Sequence, residues 1–227
     1  MKDFDRTALA ALARGLGSAL LLLLAAQAAF AQTATNPNLN AQLLVAARQG
    51  DAAQVERVLA QGAAPDSRNR LGKTALLIAS EKGNEALAER LLRAGAEVNL
   101  ASLERVTPLM AASYGGHAAL VRRLLAAGAG TEGQDRMKKP AIVYAAGQGH
   151  AAVLDLLLAH GVAVNAAYDN RLTALMWAAG QGHVEAVRLL LARGADASLR
   201  DDRNWTALDM ARAQGHAAVV AVLQPAP

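Results

Sequence analysis

Apolar residues along this chain fall into short helical stripes separated by polar turns, and the pattern recurs. Between Asn69 and Ala101, Leu87, Ala88, Leu91 and Leu92 lie at i, i+1, i+4 and i+5, one face of a helix running from about Glu85 to Arg93. Ahead of it, Thr74-Ala75-Leu76 opens a shorter helix that Gly83 ends. Gly95 follows the second helix, where a left-handed backbone is commonly needed. A polar turn then leads into the next unit.

The same grammar returns every 33 residues. Gly50, Gly83, Gly116, Gly149, Gly182 and Gly215 form one ladder, and Gly62, Gly95, Gly128, Gly161 and Gly194 a second. Ala46, Ala79, Ala112, Ala145, Ala178 and Ala211 form a third row, and Val58, Leu91, Leu124, Leu157, Leu190 and Leu223 a fourth. A fixed period of this length means stacked supersecondary units, each burying its apolar face on its neighbours. Six units are read, near 40–68, 69–101, 102–134, 135–167, 168–200 and 201–227.

Thr107-Pro108-Leu109, Ala111-Ala112, Gly116-His117, Leu124-Leu125 and Gly128-Ala129 resemble the ankyrin-repeat signature, as do Thr173-Ala174-Leu175 with Gly182-His183 and Gly194-Ala195-Asp196. The resemblance implies an all-α solenoid of about six helix-turn-helix units joined by β-turn fingers. It also implies a protein-binding module that grips partners with its finger tips and the exposed face of each first helix. Two departures stand out. The family's His, two residues after its Pro, is replaced by Leu77, Met110, Val143, Met176 and Asp209. Its side-chain hydrogen bond is therefore expected to be missing, with packing holding the turn. In the fourth unit Pro140 breaks the Thr row, which predicts a surviving hairpin with an altered cap.

The N-terminus reads differently. Lys2, Arg6 and Arg14 precede an apolar run from Leu16 to Ala26, and Ala29-Phe30-Ala31 offers a cleavage site. Residues 1–31 are thus read as a secretory signal cleaved after Ala31, 32–39 as a flexible linker, and 40–227 as the repeat domain. The apolar core falls short of the ~20 residues a spanning helix needs, so no membrane attachment is expected after cleavage. The destination expected is the periplasm or the outside of the cell.

Composition narrows the chemistry. The chain is 53% hydrophobic but only 3% aromatic, which suits thin Ala/Leu layers, and it has no cysteine, which removes disulfides and thiolate sites. The net charge of +4 falls to about +3 without the signal, weak for a nucleic-acid binder. No phosphate loop, nucleophile elbow or zinc-protease motif occurs, so no catalytic site, metal or cofactor is expected. One constellation tempts otherwise: His117, His150, His183 and His216 recur at the repeat period. They are read as a structural row rather than metal ligands. Asp51 and Asn84 fill it in the first two units, and all three residue types can hydrogen-bond backbone at a helix start. Packed helices also sit ~8–10 Å apart, too far for successive histidines to share one ion.

Function is then expected in the variable rows. The middle finger tips are basic (Arg105, Lys138, Lys139, Arg171), and large apolar residues stand where exposure is expected (Tyr114, Met137, Leu172, Trp205). These eight are the candidate partner-binding residues, since Arg and aromatics dominate binding hot spots. Trp205 can also be read as part of the last unit's cap. Tyr144 and Trp177 share a row with Ile78, Ala111 and Met210 and are read as inter-repeat core. The function expected is capture of another protein, with an acidic surface, by a monomer. Exported bacterial ankyrin proteins that this chain resembles imply an alternative, a protective or chaperone-like accessory factor for a periplasmic enzyme, in peroxide defence. A metal-dependent hydrolase is motivated only by the histidine row.

Overall fold

The computed structural model describes residues 36–224. Among them the chain forms twelve α-helices, one short 3-10 turn and no strand. The helices pair as α1 (Pro37–Gln49) with α2 (Ala52–Ala60), α3 (Ala75–Glu81) with α4 (Glu85–Arg93), and α5 (Pro108–Tyr114) with α6 (Ala118–Ala126). The pairs continue as α7 (Ala141–Gly147) with α8 (Ala151–Ala159), α9 (Ala174–Gly180) with α10 (Val184–Ala192), and α11 (Ala207–Ala213) with α12 (Ala217–Leu223).

Helices of seven or nine residues do not persist alone in water, because nucleation costs more than so few bonds return. Caps and packing hold these. Thr74, Thr107, Thr173 and Thr206 each accept a hydrogen bond from the backbone N–H three residues on, at 3.2–3.3 Å. Pro140 stands in the cap position before α7 and offers no side-chain hydrogen bond, and the hairpin survives as expected. First helices are then almost wholly enclosed: in α3 every residue from Ala75 to Ser80 is buried. The alanine row at 79, 112, 145, 178 and 211 lets neighbouring first helices approach, and those residues are fully buried. Second helices contribute one apolar stripe, seen as Leu87, Ala88 and Leu91 of α4 or Val153, Leu154 and Leu157 of α8. First helices pack on each other more extensively than second helices do. The stack therefore curves with first helices and fingers on its inner side.

Several expectations need correction. Helix α1 begins at Pro37, capped by the Asn36 side chain on the Asn38 N–H at 3.0 Å, so residues 37–39 are helix rather than linker. The signal peptide of 1–31, the rest of the linker at 32–35 and the final 225–227 lie outside the described residues. The turn after the missing family His is held by packing at Leu77 and Met110, but not in the last unit. There Asp209 Oδ2 accepts from the Thr206 N–H at 2.9 Å and its hydroxyl at 2.7 Å.

The histidine row is structural, but by a mechanism other than helix capping. Asp51 and Asn84 do cap α2 and α4, accepting from Gln54 and Leu87 N–H at 2.9 and 3.0 Å. His150, His183 and His216 cap nothing. Each sends Nε2–H back to a carbonyl of the preceding unit: Tyr114 at 2.9 Å, Gly147 at 2.9 Å and Gly180 at 3.2 Å. A carbonyl only accepts, so Nε2 carries the proton. Each ring lies against the glycine of the preceding unit. At Gly149, with φ at +75°, a Cβ would stand 2.6 Å from the His183 ring. The glycine and histidine ladders are thus two halves of one inter-unit joint.

Candidate functional site: the inner groove and its fingers

The fingers are built from a repeated local device. Asn69 Oδ1 accepts from the N–H groups of Leu71 and Lys73 at 2.8 and 3.0 Å. Asp135 does the same for Met137 and Lys139, both at 2.8 Å, and Asp201 for Arg203 and Trp205, both at 2.9 Å. Such a side chain supplies the acceptor that folds the loop on itself. Each tip then carries a residue in the left-handed region: Gly72, Arg105, Lys138, Arg171 and Asn204, with φ from 57° to 72°. Glycine takes this conformation freely, whereas Arg and Lys are held there at a cost of about 1 kcal/mol. Three cations of the candidate set thus occupy strained tip positions, which links sequence, backbone strain and a surface role.

Neighbouring fingers are tied by single backbone bonds. Leu103 N–H donates to the Leu71 carbonyl at 3.0 Å, Arg136 to Glu104 at 3.2 Å and Asp202 to Asn170 at 3.2 Å. The equivalent bond from Asp169 to Met137 is not made. In the fifth finger Tyr168 replaces the folding Asn or Asp, and Asn170 and Arg171 are both left-handed. Only an exposed ion pair, Lys138 Nζ to Asp169 Oδ1 at 2.8 Å, joins fingers four and five here.

Trp177 sits behind this opening. It is half-buried rather than core, which corrects the expectation, and the same holds for Tyr144. Their row admits only small or slender residues as true core, such as Ile78 and Ala111. In the adjoining row Gly147 lies beside the indole, where an added Cβ would stand 3.7 Å from the Trp177 ring. Lys139 Nζ lies 4.5 Å from the Trp177 ring centroid, and Arg203 stacks on Trp205 at 4.8 Å. Tyr114 and Tyr144 meet edge to face at 5.8 Å. The Tyr144 hydroxyl donates to the buried Asp135 carboxylate. Burial first, then that hydrogen bond, holds its phenol proton well above the ordinary tyrosine range. Tyr168 is pushed up to about 12, mainly by burial and then by the charge of Glu132.

Three separate hollows of about 190, 170 and 280 Å³ line the groove, and Trp177 borders all of them. They are smaller than the ~300–1,000 Å³ clefts that enclose small ligands. Their form suits side chains of a macromolecule laid along the groove. Met137, Lys138, Lys139 and Leu172 converge on the hollow of about 280 Å³, Tyr114 and Lys139 on that of about 170 Å³, and Leu172 and Trp205 on that of about 190 Å³. Arg105 and Arg171 border none of them and project from the tips. Tyr114 is 54% exposed, Met137 63% and Trp205 37%, whereas Leu172 is half-buried against the core, which corrects its expected exposure. The sequence reading placed Trp177 and Tyr144 in the core and did not choose Tyr168 or Arg203 as candidates. The available signal was bulk: an indole in a row that elsewhere holds Ala111 cannot enter so close a packing.

The family model for ankyrin repeats matches residues 7–102, 43–137, 83–168 and 142–226. The chain belongs to the ankyrin-repeat family. Ankyrin repeats are protein–protein interaction modules, and the family is typically non-catalytic. No curated protein matches the chain. Among the described residues of this ankyrin array, no three His, Asp or Glu side chains are grouped to hold a metal ion. Nor is any described helix long and apolar enough to cross a membrane.

Proposed function

We propose that this ankyrin array is an exported binding protein that captures an acidic partner surface in its inner groove. The carrying observation is that each of the three middle fingers holds an unpaired cation. Arg105, Lys139 and Arg171 make no ion pair among the described residues, and all belong to the fingers. Lys139 instead stacks on the groove's indole. Cations without carboxylate partners beside exposed aromatics are what an acidic protein surface would pair with and bury. Export rests on the basic, apolar and Ala29-Phe30-Ala31 pattern of the first 31 residues.

The test is capture from a native cell-envelope extract, with the partner identified by mass spectrometry and its affinity then measured. Reversing Arg105, Lys139 and Arg171 to Glu should weaken that affinity at least about tenfold, more at low salt than at high. Unchanged affinity removes this face as the binding surface.

A further inference from the structure

The groove is not uniform along its length, and the exception carries a more specific reading. Fingers two and three, three and four, and five and six are closed by backbone hydrogen bonds. Between fingers four and five that bond is missing, and the largest of the three groove hollows, about 280 Å³, opens in its place. A cavity of ~150 Å³ accommodates a benzene ring, so the space suffices for an aromatic side chain. Its walls are apolar: Met137, Val143, Tyr168 and Leu172, with Trp177 behind. Its rim is cationic, with Lys138 and Lys139 on one side and Arg171 at the adjacent tip. The one anion at the rim, Asp169, is engaged by Lys138 in an exposed pair, which a competing carboxylate displaces at little cost.

We propose that this inter-finger hollow takes an aromatic side chain from an extended acidic segment of the partner protein. Acidic residues flanking the ring would meet Lys138, Lys139 and Arg171, while the ring packs on Trp177 and Leu172. Exposed backbone supports the extended form: with the bond between the fingers unmade, the Asp169 N–H and Met137 carbonyl are left to pair with a strand-like ligand. The proposal rests on the reading that this face binds protein, and adds where the anchor enters and what it is.

Two short Asp/Glu peptides serve as probes, one with a single central Phe and one with Ala there. Binding is followed by Trp177 fluorescence in the full chain carrying Trp205→Phe, which leaves one indole. The Phe peptide should bind about tenfold tighter than the Ala peptide, the range one apolar group commands in a fitted pocket. Trp177→Ala and Leu172→Ala, followed by a dye on the peptide, should bring that ratio close to one. Trp177→Phe, which keeps a ring, should restore most of it. Equal binding of the two peptides, no binding of either, or a ratio that survives both alanine variants overturns the proposal. If envelope capture is lost on charge reversal while the peptides bind equally, the anchor site falls and the binding face stands.

Discussion

The two sides of the stack use the same residue types for opposite ends. On the second-helix side, Arg90 pairs with Glu56, Arg123 with Glu85 and Glu89 at 2.8 and 3.0 Å, and Arg193 with Asp155. Each of these pairs spans adjacent units, so these charges are spent within the molecule. On the finger side Arg105, Lys139 and Arg171 have no such partner, and two of these strain the backbone at a tip. Among the fingers the pairs that form are Arg136 with Glu104, Lys138 with Asp169 and Arg203 with Asp201, and three further cations stand beside them unpaired. Placement on a repeat, rather than overall composition, decides which charges pair across units and which are left to solvent.

The joint beneath both sides should break most easily. Gly149→Ala places a methyl group in a left-handed backbone and against the His183 ring. It should cost about 1–3 kcal/mol in urea unfolding, and both faces should be lost in one transition. Survival of the finger face through a first transition would show that the two sides are not coupled there.

Relieving strain should act on one side alone. Arg171→Gly is expected to raise stability by about 1 kcal/mol while weakening partner binding. A gain in both would mean that the tip cation has no binding role.

Within the groove, Tyr144 couples a finger to a first helix through Asp135. Its folded pKa lies above the ordinary 10.0, so the protonated phenol contributes stability that is present below pH 10 and lost as pH rises toward the folded value. Tyr144→Phe should therefore flatten the alkaline decline in unfolding midpoint above about pH 10. An identical decline in both proteins would exclude this link.

The smallest effect belongs to the outer side. Arg193→Gln removes an exposed pair and should leave both unfolding and binding nearly unchanged, with any difference disappearing in high salt. Lys139→Gln, one cation for one cation, should lower affinity and leave unfolding unchanged.

The repeat was legible because its causes are local and periodic. A Thr that caps, a glycine that turns left-handed, and an apolar stripe each act within a few residues, and the 33-residue period multiplies the evidence. The eight candidate residues were chosen by the same logic, since rows that escape the packing pattern are free to face outward, but Leu172 turns in against the core. The histidines marked the right row for the wrong reason. Their hydrogen bonds run to a carbonyl 36 residues back, and only stacking brings the two together. Trp177 was misplaced because its row is core wherever the residue is small.

By itself the sequence determined the period, the helices, the caps and the kinds of residue offered to a partner, because these follow from spacing and local backbone preference. What only the tertiary structure decided is which cations remain unpaired, which indole surfaces in the groove, and which pair of fingers stands open. These depend on distances between units, and a one-dimensional period cannot express how far one layer closes on the next.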